Sequence, residues 1–401
     1  MWRRIVGGCV LAGAATLVAL ISIEIAVRAL HLVPAHFWQP DPLVGTRLIA
    51  GKSGWWTQEE LEFRVPVRIN SQGFHDVEHA FKKPDGVTRV LVLGDSFVEA
   101  MQVPLEDAFA RRLEHDLNGN ADGNGSYEVI SMGVSGYGTA GQLLTYLHYG
   151  RAYAADVVVL AFYPGNDVRN NSPVLEPVLH PVYADDGTIE RIAGPQPRKA
   201  PAGHSPMRWL LENSQAYFFV RKRILTGQPA LARWLMDVGL MAPEALQEVP
   251  MYDGIPVDYW VYAANPPPEW EDAWRHSEDL LRQFRSTVEH DGAHFVVAIV
   301  TARERIYPDS WEQIVEANPN MRKVAWNLAG PEQRVQRWCA DNGVQCVTLS
   351  PAFLAHRNEG RRLHWVYDGH WTPAGHALAA ATVAAALREQ SWLSARPRKS
   401  G

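Results

Sequence analysis

Apolar residues along this chain recur in short blocks, and the blocks alternate between two periods. Arg89 to Leu93 (RVLVL), Tyr127 to Met132, Asp156 to Tyr163 (DVVVLAFY), His294 to Val300 (HFVVAIV) and Val344 to Leu349 are brief runs rich in Val, Ile and Leu. The run from Asp156 is apolar on both faces, as a strand in the middle of a parallel sheet must be. Segments with helical spacing separate these runs: Glu106 to Leu117, Thr139 to Tyr149 and Trp274 to Val288. Another opens at Pro331 and closes at Asn342-Gly343, and the last opens at Pro373. Proline just inside a helix start and glycine just past its end are the expected boundary residues. Five strands alternating with helices predict an α/β fold, a three-layer sandwich around a five-stranded parallel sheet.

The N-terminus follows a different pattern. Ile5 to Ile23 carries no charge over 19 residues, and at ~1.5 Å per residue it spans ~28 Å, about the hydrocarbon thickness of a bilayer. Arg3 and Arg4 precede it, so the positive-inside rule keeps the N-terminus in the cytoplasm and sends the rest across. Residues 1–30 are thus expected to be a single-pass anchor. A cleaved signal peptide is the alternative, although Glu24 and Arg28 continue the helix and no small-x-small site follows cleanly. Val6-Gly7-Gly8-Cys9 imitates a lipoprotein box but leaves no room upstream for an apolar region. Residues 31–85 read as a stalk and lead-in strands, with Pro34, Pro40, Pro42 and Trp55-Trp56. There LEFRVPVRIN (Leu61 to Asn70) alternates before a turn at Ser71-Gln72-Gly73. The main domain is expected over 86–401. Within it the Pro-rich stretch 172–270 breaks the rhythm and predicts an insertion, a candidate cap, with one helical piece around Trp209 to Ile224. Ala377 to Leu387 is too short to span and predicts a buried helix.

Composition narrows the function classes. Hydrophobic residues at 47% and charged residues at 20% of 401 exclude a disordered chain, a collagen-like chain and a multi-span transporter. A net charge of −6 offers no basic excess, so no nucleic-acid partner is expected. Three cysteines are too few for a disulfide framework or a Cys-rich metal site. Cys339 and Cys346 are either bridged in an oxidising compartment or two core thiols. The Asn/Asp/Gly tract at 116–126 has Ala121 and Tyr127 where a calcium loop needs Gly and Glu, and reads as a polar surface loop.

The chemistry gathers at the ends of the predicted strands. Gly94-Asp95-Ser96-Phe97 directly follows the first strand, and a Ser there faces the crevice where open α/β sheets bind ligands. Asp368-Gly369-His370 precedes the final helix. In an extended loop the carboxylate can hold the imidazole's tautomer while its other nitrogen faces Ser96. Gly133-Val134-Ser135-Gly136-Tyr137-Gly138 after the second strand and Gly165-Asn166-Asp167 after the third supply N–H donors for an oxyanion. His364 and His376 lie six residues to either side of His370. That is not a one-face helical spacing and no acidic partner joins them, so no metal and no cofactor are expected.

With these blocks in that order, the chain resembles a bacterial, membrane-anchored SGNH/GDSL hydrolase, from about Asn70 to Gln390 apart from 172–270. The resemblance implies the flavodoxin-like SGNH fold. It makes Ser96 the nucleophile, Asp368 and His370 the rest of a triad, and Gly136 and Asn166 partners of the Ser96 N–H in the oxyanion hole. Asn70-Ser71-Gln72-Gly73-Phe74-His75-Asp76 is similar to the Asn-Gly-Phe-Arg-Asp lead-in of anchored members, with His75 in place of Arg, and Ala100 stands where a Gly often follows. The Asp-x-His-Trp block also occurs in anchored polysaccharide O-acetyltransferases. The expectation is therefore an extracytoplasmic serine esterase acting on a small ester or an acylated glycan. An O-acyltransferase using the same site, or a non-catalytic glycan-binding or assembly protein, are the alternatives; the oligomeric state stays open. Trp is abundant, at 15 residues; Trp55, Trp56, Trp209, Trp260, Trp270, Trp274 and Trp371 are candidates for stacking on sugar rings, although most are expected to pack in the core or the insertion.

Overall fold

The structure is a computed structural model, and it describes residues 2–58, 61–119, 126–175, 181–184, 187–191, 214–241 and 250–390. The chain forms two compact units. One gathers Met1–His36, Gly54–Arg64 and Gln196–Glu248; the other holds Phe37–Ser53, Val65–Pro195 and Val249–Gly401.

In the first unit, helix α1 (Trp2–Ala29) contains a 24-residue apolar stretch, Val6–Ala29, long enough to cross a bilayer. Glu24 accepts hydrogen bonds from Ser214 Oγ (2.7 Å) and from the N–H groups of Gln215 and Ala216 (3.1 and 3.0 Å). It thereby satisfies donors at the start of the helix Gln215–Gly227 that have no partner within that helix.

The second unit is built on five parallel strands. These are β1 (Val87–Gly94), β2 (Ser126–Gly133), β3 (Val157–Phe162), β4 (His294–Ile299) and β5 (Gln345–Thr348), in the spatial order β5-β4-β3-β1-β2. Each lies where the short apolar runs placed it. Alternate residues serve opposite faces. Val90, Val92, Val129, Val157, Val159, Val296 and Ala298 pack with helix α2 (Ser96–Glu99), helix α3 (Phe109–Gly119) and the last helix. Leu91, Leu93, Ile130, Val158, Leu160 and Val297 face helices α4 (Thr139–His148), α6 (Pro268–His290) and α7 (Gly330–Asn342). The short α5 (Asp167–Asn170) follows β3, and α8 (Pro373–Arg388) closes the fold. The three-layer sandwich expected from the sequence is therefore the observed architecture. Cys339 in α7 and Cys346 in β5 form a disulfide, which resolves the alternative left open above.

Two stretches differ from their expected character. Phe37, Val44, Leu48, Ile69 and Phe74, all in the stretch read as stalk and lead-in, are buried in the second unit rather than strung between domains. Ile255, Val257 and Trp260, read as insertion, join its core. Proline-rich sequence lacks a clear period yet still supplies apolar side chains, and this is why one stretch reads as a stalk with lead-in strands and the other as an insertion. The lead-in motif is structural. Asn70 Oδ1 accepts from the N–H groups of Gln72 and Phe74 (3.1 and 2.9 Å), and Gly73 takes a positive φ of 81° to close the turn. Asp76 Oδ2 then accepts from the Ser131 N–H in β2 (2.7 Å). The tract 120–125 and Trp209 lie outside the described residues.

Candidate active site

Ser96 is the first residue of α2, immediately past the carboxyl end of β1. First-turn N–H groups of a helix have no intrahelical partner. Gly94 makes the sharp exit feasible, since a Cβ there would lie 2.4 Å from Val98 Cγ2. Asp95 caps the turn by accepting from the Phe97 N–H at 2.9 Å.

His370 reaches this serine from the far end of the chain. Its Nε2 lies 2.7 Å from Ser96 Oγ, and its Nδ1 lies 2.7 Å from Asp368 Oδ1. A carboxylate only accepts, so Nδ1 carries the proton and Nε2 is left to accept from the serine hydroxyl. The loop is not extended as expected. Gly369 has φ 87°, and this left-handed turn lets Asp368 Oδ1 also take the His370 N–H at 3.1 Å. Burial pushes the imidazole's pKa down. The hydrogen bond and charge of Asp368, helped by Asp95 and Glu99, more than offset this, and the net shift is upward.

The two donor blocks converge on the same place. Gly133 at the end of β2 pairs in register with Gly94, and Val134 N–H donates to the Gly94 carbonyl at 3.3 Å. A Cβ on Gly133 would lie 2.2 Å from the Glu99 backbone nitrogen, so only glycine permits this approach. Gly136, with φ 79°, forms the turn that follows, and its carbonyl accepts from Asn170 Nδ2 at 2.9 Å. Asn166 at the start of α5 donates from Nδ2 to Asp95 Oδ2 at 2.8 Å. An amide nitrogen has two hydrogens, so a second remains for a ligand. Burial raises the pKa of Asp95, opposed by these hydrogen bonds and by the charge of His370.

Glu99 was not singled out from the sequence. It closes α2 fully buried, accepting from Trp38 Nε1 at 3.0 Å and from the Ser135 hydroxyl. The available signal was a lone carboxylate in the otherwise apolar segment Phe97-Val98-Glu99-Ala100-Met101. Ala100 itself is left-handed, with φ 55°, a conformation that glycine adopts more readily.

The flanking histidines do not converge on the site as ligands. His364 Nε2 meets the Thr301 carbonyl at 3.2 Å, and His376 stands edge-on to Trp371; burial pushes both down to about 3. Among the described residues no group of three or more His, Cys, Asp or Glu is arranged to hold a metal ion. Trp260, Trp270, Trp274 and Trp371 are buried and unavailable to a sugar ring. Trp371 instead packs on Phe97, Phe109 and Phe353.

Comparison with known proteins follows this geometry. Residues 257–400 match the family model described as SGNH hydrolase-like domain, acetyltransferase AlgX. That stretch includes Asp368 and His370 but not Ser96. A probable alginate O-acetylase AlgJ of Pseudomonas putida is 25% identical over 147 residues, 35% of each chain. One of Pseudomonas syringae pv. tomato is 29% identical over 120 residues, 30% of this chain and 28% of the relative. The chain thus spans about a third of the length of the curated relatives it matches. Among solved structures, an acetyl xylan esterase, AlAXEase, aligns over 75% of this chain and 99% of its own at TM-score 0.39 and 12% identity. A lipolytic G-D-S-L protein from Veillonella parvula aligns over 76% and 100% at TM-score 0.36 and 9% identity. Over residues 257–400 the chain is therefore similar to an SGNH hydrolase-like domain, and its motif blocks and parallel sheet agree with that likeness.

Proposed function

We propose that this protein is a membrane-anchored, extracytoplasmic serine enzyme that takes an acyl group from an ester onto Ser96 and works on the O-acyl groups of a glycan. The observation that carries this reading is the chain Asp368–His370–Ser96, closed by two hydrogen bonds of 2.7 Å. His370 Nε2 takes the Ser96 proton as Oγ attacks the ester carbonyl. The Ser96 and Gly136 N–H groups and the free Asn166 amide hydrogen stabilise the oxyanion. The imidazolium, held by Asp368, then protonates the leaving alkoxide and an acyl-serine remains. In the second half His370 Nε2 takes the proton of the acceptor oxygen as that oxygen bonds to the acyl carbon, the bond to Ser96 Oγ breaks, and the imidazolium returns the proton to Oγ.

With water as acceptor the protein is an esterase. A second reading, transfer to a glycan hydroxyl, is favoured by the match to the acetyltransferase family model over the segment that holds Asp368 and His370. Residues 1–30 act as the anchor in both readings, and 86–401 carries the chemistry with the lead-in packed into it. The disulfide supports a compartment outside the cytoplasm.

Hydrolysis of p-nitrophenyl acetate by the full-length protein in detergent, with and without an acceptor oligosaccharide, tests the reading. Steady turnover in water alone supports the esterase. A burst of one equivalent that stalls until the oligosaccharide is added supports the transferase. Neither burst nor turnover contradicts both.

A further inference from the structure

Glu99 carries more than its place in a core explains. Its carboxylate joins three segments distant in sequence: α2 itself, Trp38 of the lead-in hairpin through Nε1, and Ser135 through its hydroxyl and its backbone N–H. The Glu99 carbonyl oxygen accepts from His75 Nδ1 at 2.7 Å. Among the described residues its hydrogen-bond donors are neutral. A buried carboxylate without a cation is costly, and a neutral amide would make a purely structural link at lower cost. Ser135 precedes Gly136, the oxyanion donor, and Glu99 follows Ser96 by three residues in the same short helix. The carboxylate therefore ties the nucleophile's helix directly to the oxyanion turn.

We infer that Glu99 is a positioning residue: it fixes the Ser135–Gly136 turn against α2, and its negative charge acts on His370 across the site. This rests on the reading of Ser96, Gly136 and His370 given above. The titratable groups around Glu99 are His370 from the loop before α8, His75 from the lead-in turn and Asp95 one turn back. Burial holds His75 below its ordinary value and raises Asp95. Burial likewise pushes Glu99 up to about 7, against the hydrogen bonds from Ser135 and Trp38 and the charge of His370. Glu99 and His370 thus lie in each other's field, and the charge of one favours the charge of the other. An ionised Glu99 favours the imidazolium that forms during acylation.

Glu99→Gln keeps an acceptor oxygen for Ser135 and cannot ionise. The experiment follows kcat and KM on p-nitrophenyl acetate, and the rate of fluorophosphonate labelling, from pH 5 to 9 in the full-length protein. The expected result is a kcat lower by about tenfold with KM within twofold. The acid limb moves to lower pH, because His370 loses a neighbouring negative charge, and its slope falls to that of one proton. Ser135→Ala, which keeps the carboxylate, lowers kcat several-fold and retains the steeper limb. A Glu99→Gln profile with the wild-type midpoint and slope overturns the inference, whatever happens to kcat. Should that variant fail to fold, Ser135→Ala decides, and a wild-type kcat there overturns it. A wild-type protein that does not label at Ser96 contradicts the proposed function instead, so the two failures are distinguishable.

Discussion

The two ends of the parallel sheet treat buried charge in opposite ways. At the amino end Glu128, Asp156 and Asp76 each have a cation. Arg89, fully buried in β1, pairs with Glu128 of β2 at 2.7 Å and donates to the carbonyls of Ala80, Phe81 and Tyr153. Asp156 takes Lys83 Nζ at 2.6 Å, and Asp76 pairs with Arg111 at 2.9 Å. At the carboxyl end Asp95, Glu99 and Asp167 are equally buried, and hydrogen bonds from amides, hydroxyls and an indole replace cations. Burial raises the pKa of all three. The difference teaches where free energy went. Paired charges stitch the lead-in to the sheet, whereas Asp95 and Glu99, without a cation of their own, favour the charged form of His370, the cation that must appear during turnover.

If that division is right, substitutions at the carboxyl end change rate and those at the amino end change stability. The largest effect is expected at His370. His370→Ala should lower kcat by about 10⁴–10⁶, nearly as far as Ser96→Ala, with the melting temperature little changed. Asp368→Asn should leave a measurable residue. The double variant with His370→Ala should be no worse than His370→Ala alone, because the groups act as a unit. Steady-state kinetics on a short p-nitrophenyl ester checks all three.

Next in size is the amino end. Arg89→Met leaves Glu128 with His79 alone and strands three carbonyls, and should cost about 3–5 kcal/mol in thermal or urea unfolding while the folded fraction keeps wild-type kcat. A loss of kcat without loss of stability would erase the division. Asn166→Ala should lower kcat by ~10²–10³ with KM nearly unchanged, since the oxyanion exists only near the transition state. A pure KM effect would reassign Asn166 to substrate binding.

The smallest effect concerns pH. His79 lies between Asp76 (3.1 Å) and Glu128 (2.7 Å). Burial lowers its pKa, but the hydrogen bonds and charge of those carboxylates win and raise it above 6.5. A raised folded pKa means that the stabilisation is fully present below 6.5 and is lost as pH rises through the folded value. Unfolding free energy should therefore decline across that window, and His79→Gln should flatten the decline. An unchanged slope in the variant would show that His79 does not hold the lead-in electrostatically.

Much of this was legible in the sequence, for a physical reason. Strands buried on both faces are continuous apolar runs, and the blocks at Ser96, Gly136 and Asn166 stand directly after them, where no side-chain contact is needed to place them. The rest depended on packing. Nothing local in Asp368-Gly369-His370 separates an extended loop from the left-handed turn that Gly369 adopts. Phe37 fell in the stretch that reads as a stalk because its partners lie elsewhere in the chain. Trp270 and Trp371 stood among the candidate sugar platforms because an indole's residue type is silent about burial. Glu99 carries no motif at all, and its meaning appears only when Ser135 and Trp38 arrive beside it.

The central claim is that Ser96 is the acyl-accepting nucleophile activated by His370. The most direct measurement is fluorophosphonate labelling of the full-length protein, with the adduct located by peptide mass spectrometry. The account predicts one adduct per chain on Ser96, none in Ser96→Ala, and labelling slowed by orders of magnitude in His370→Ala. An adduct on another residue, or undiminished labelling in either variant, would contradict it.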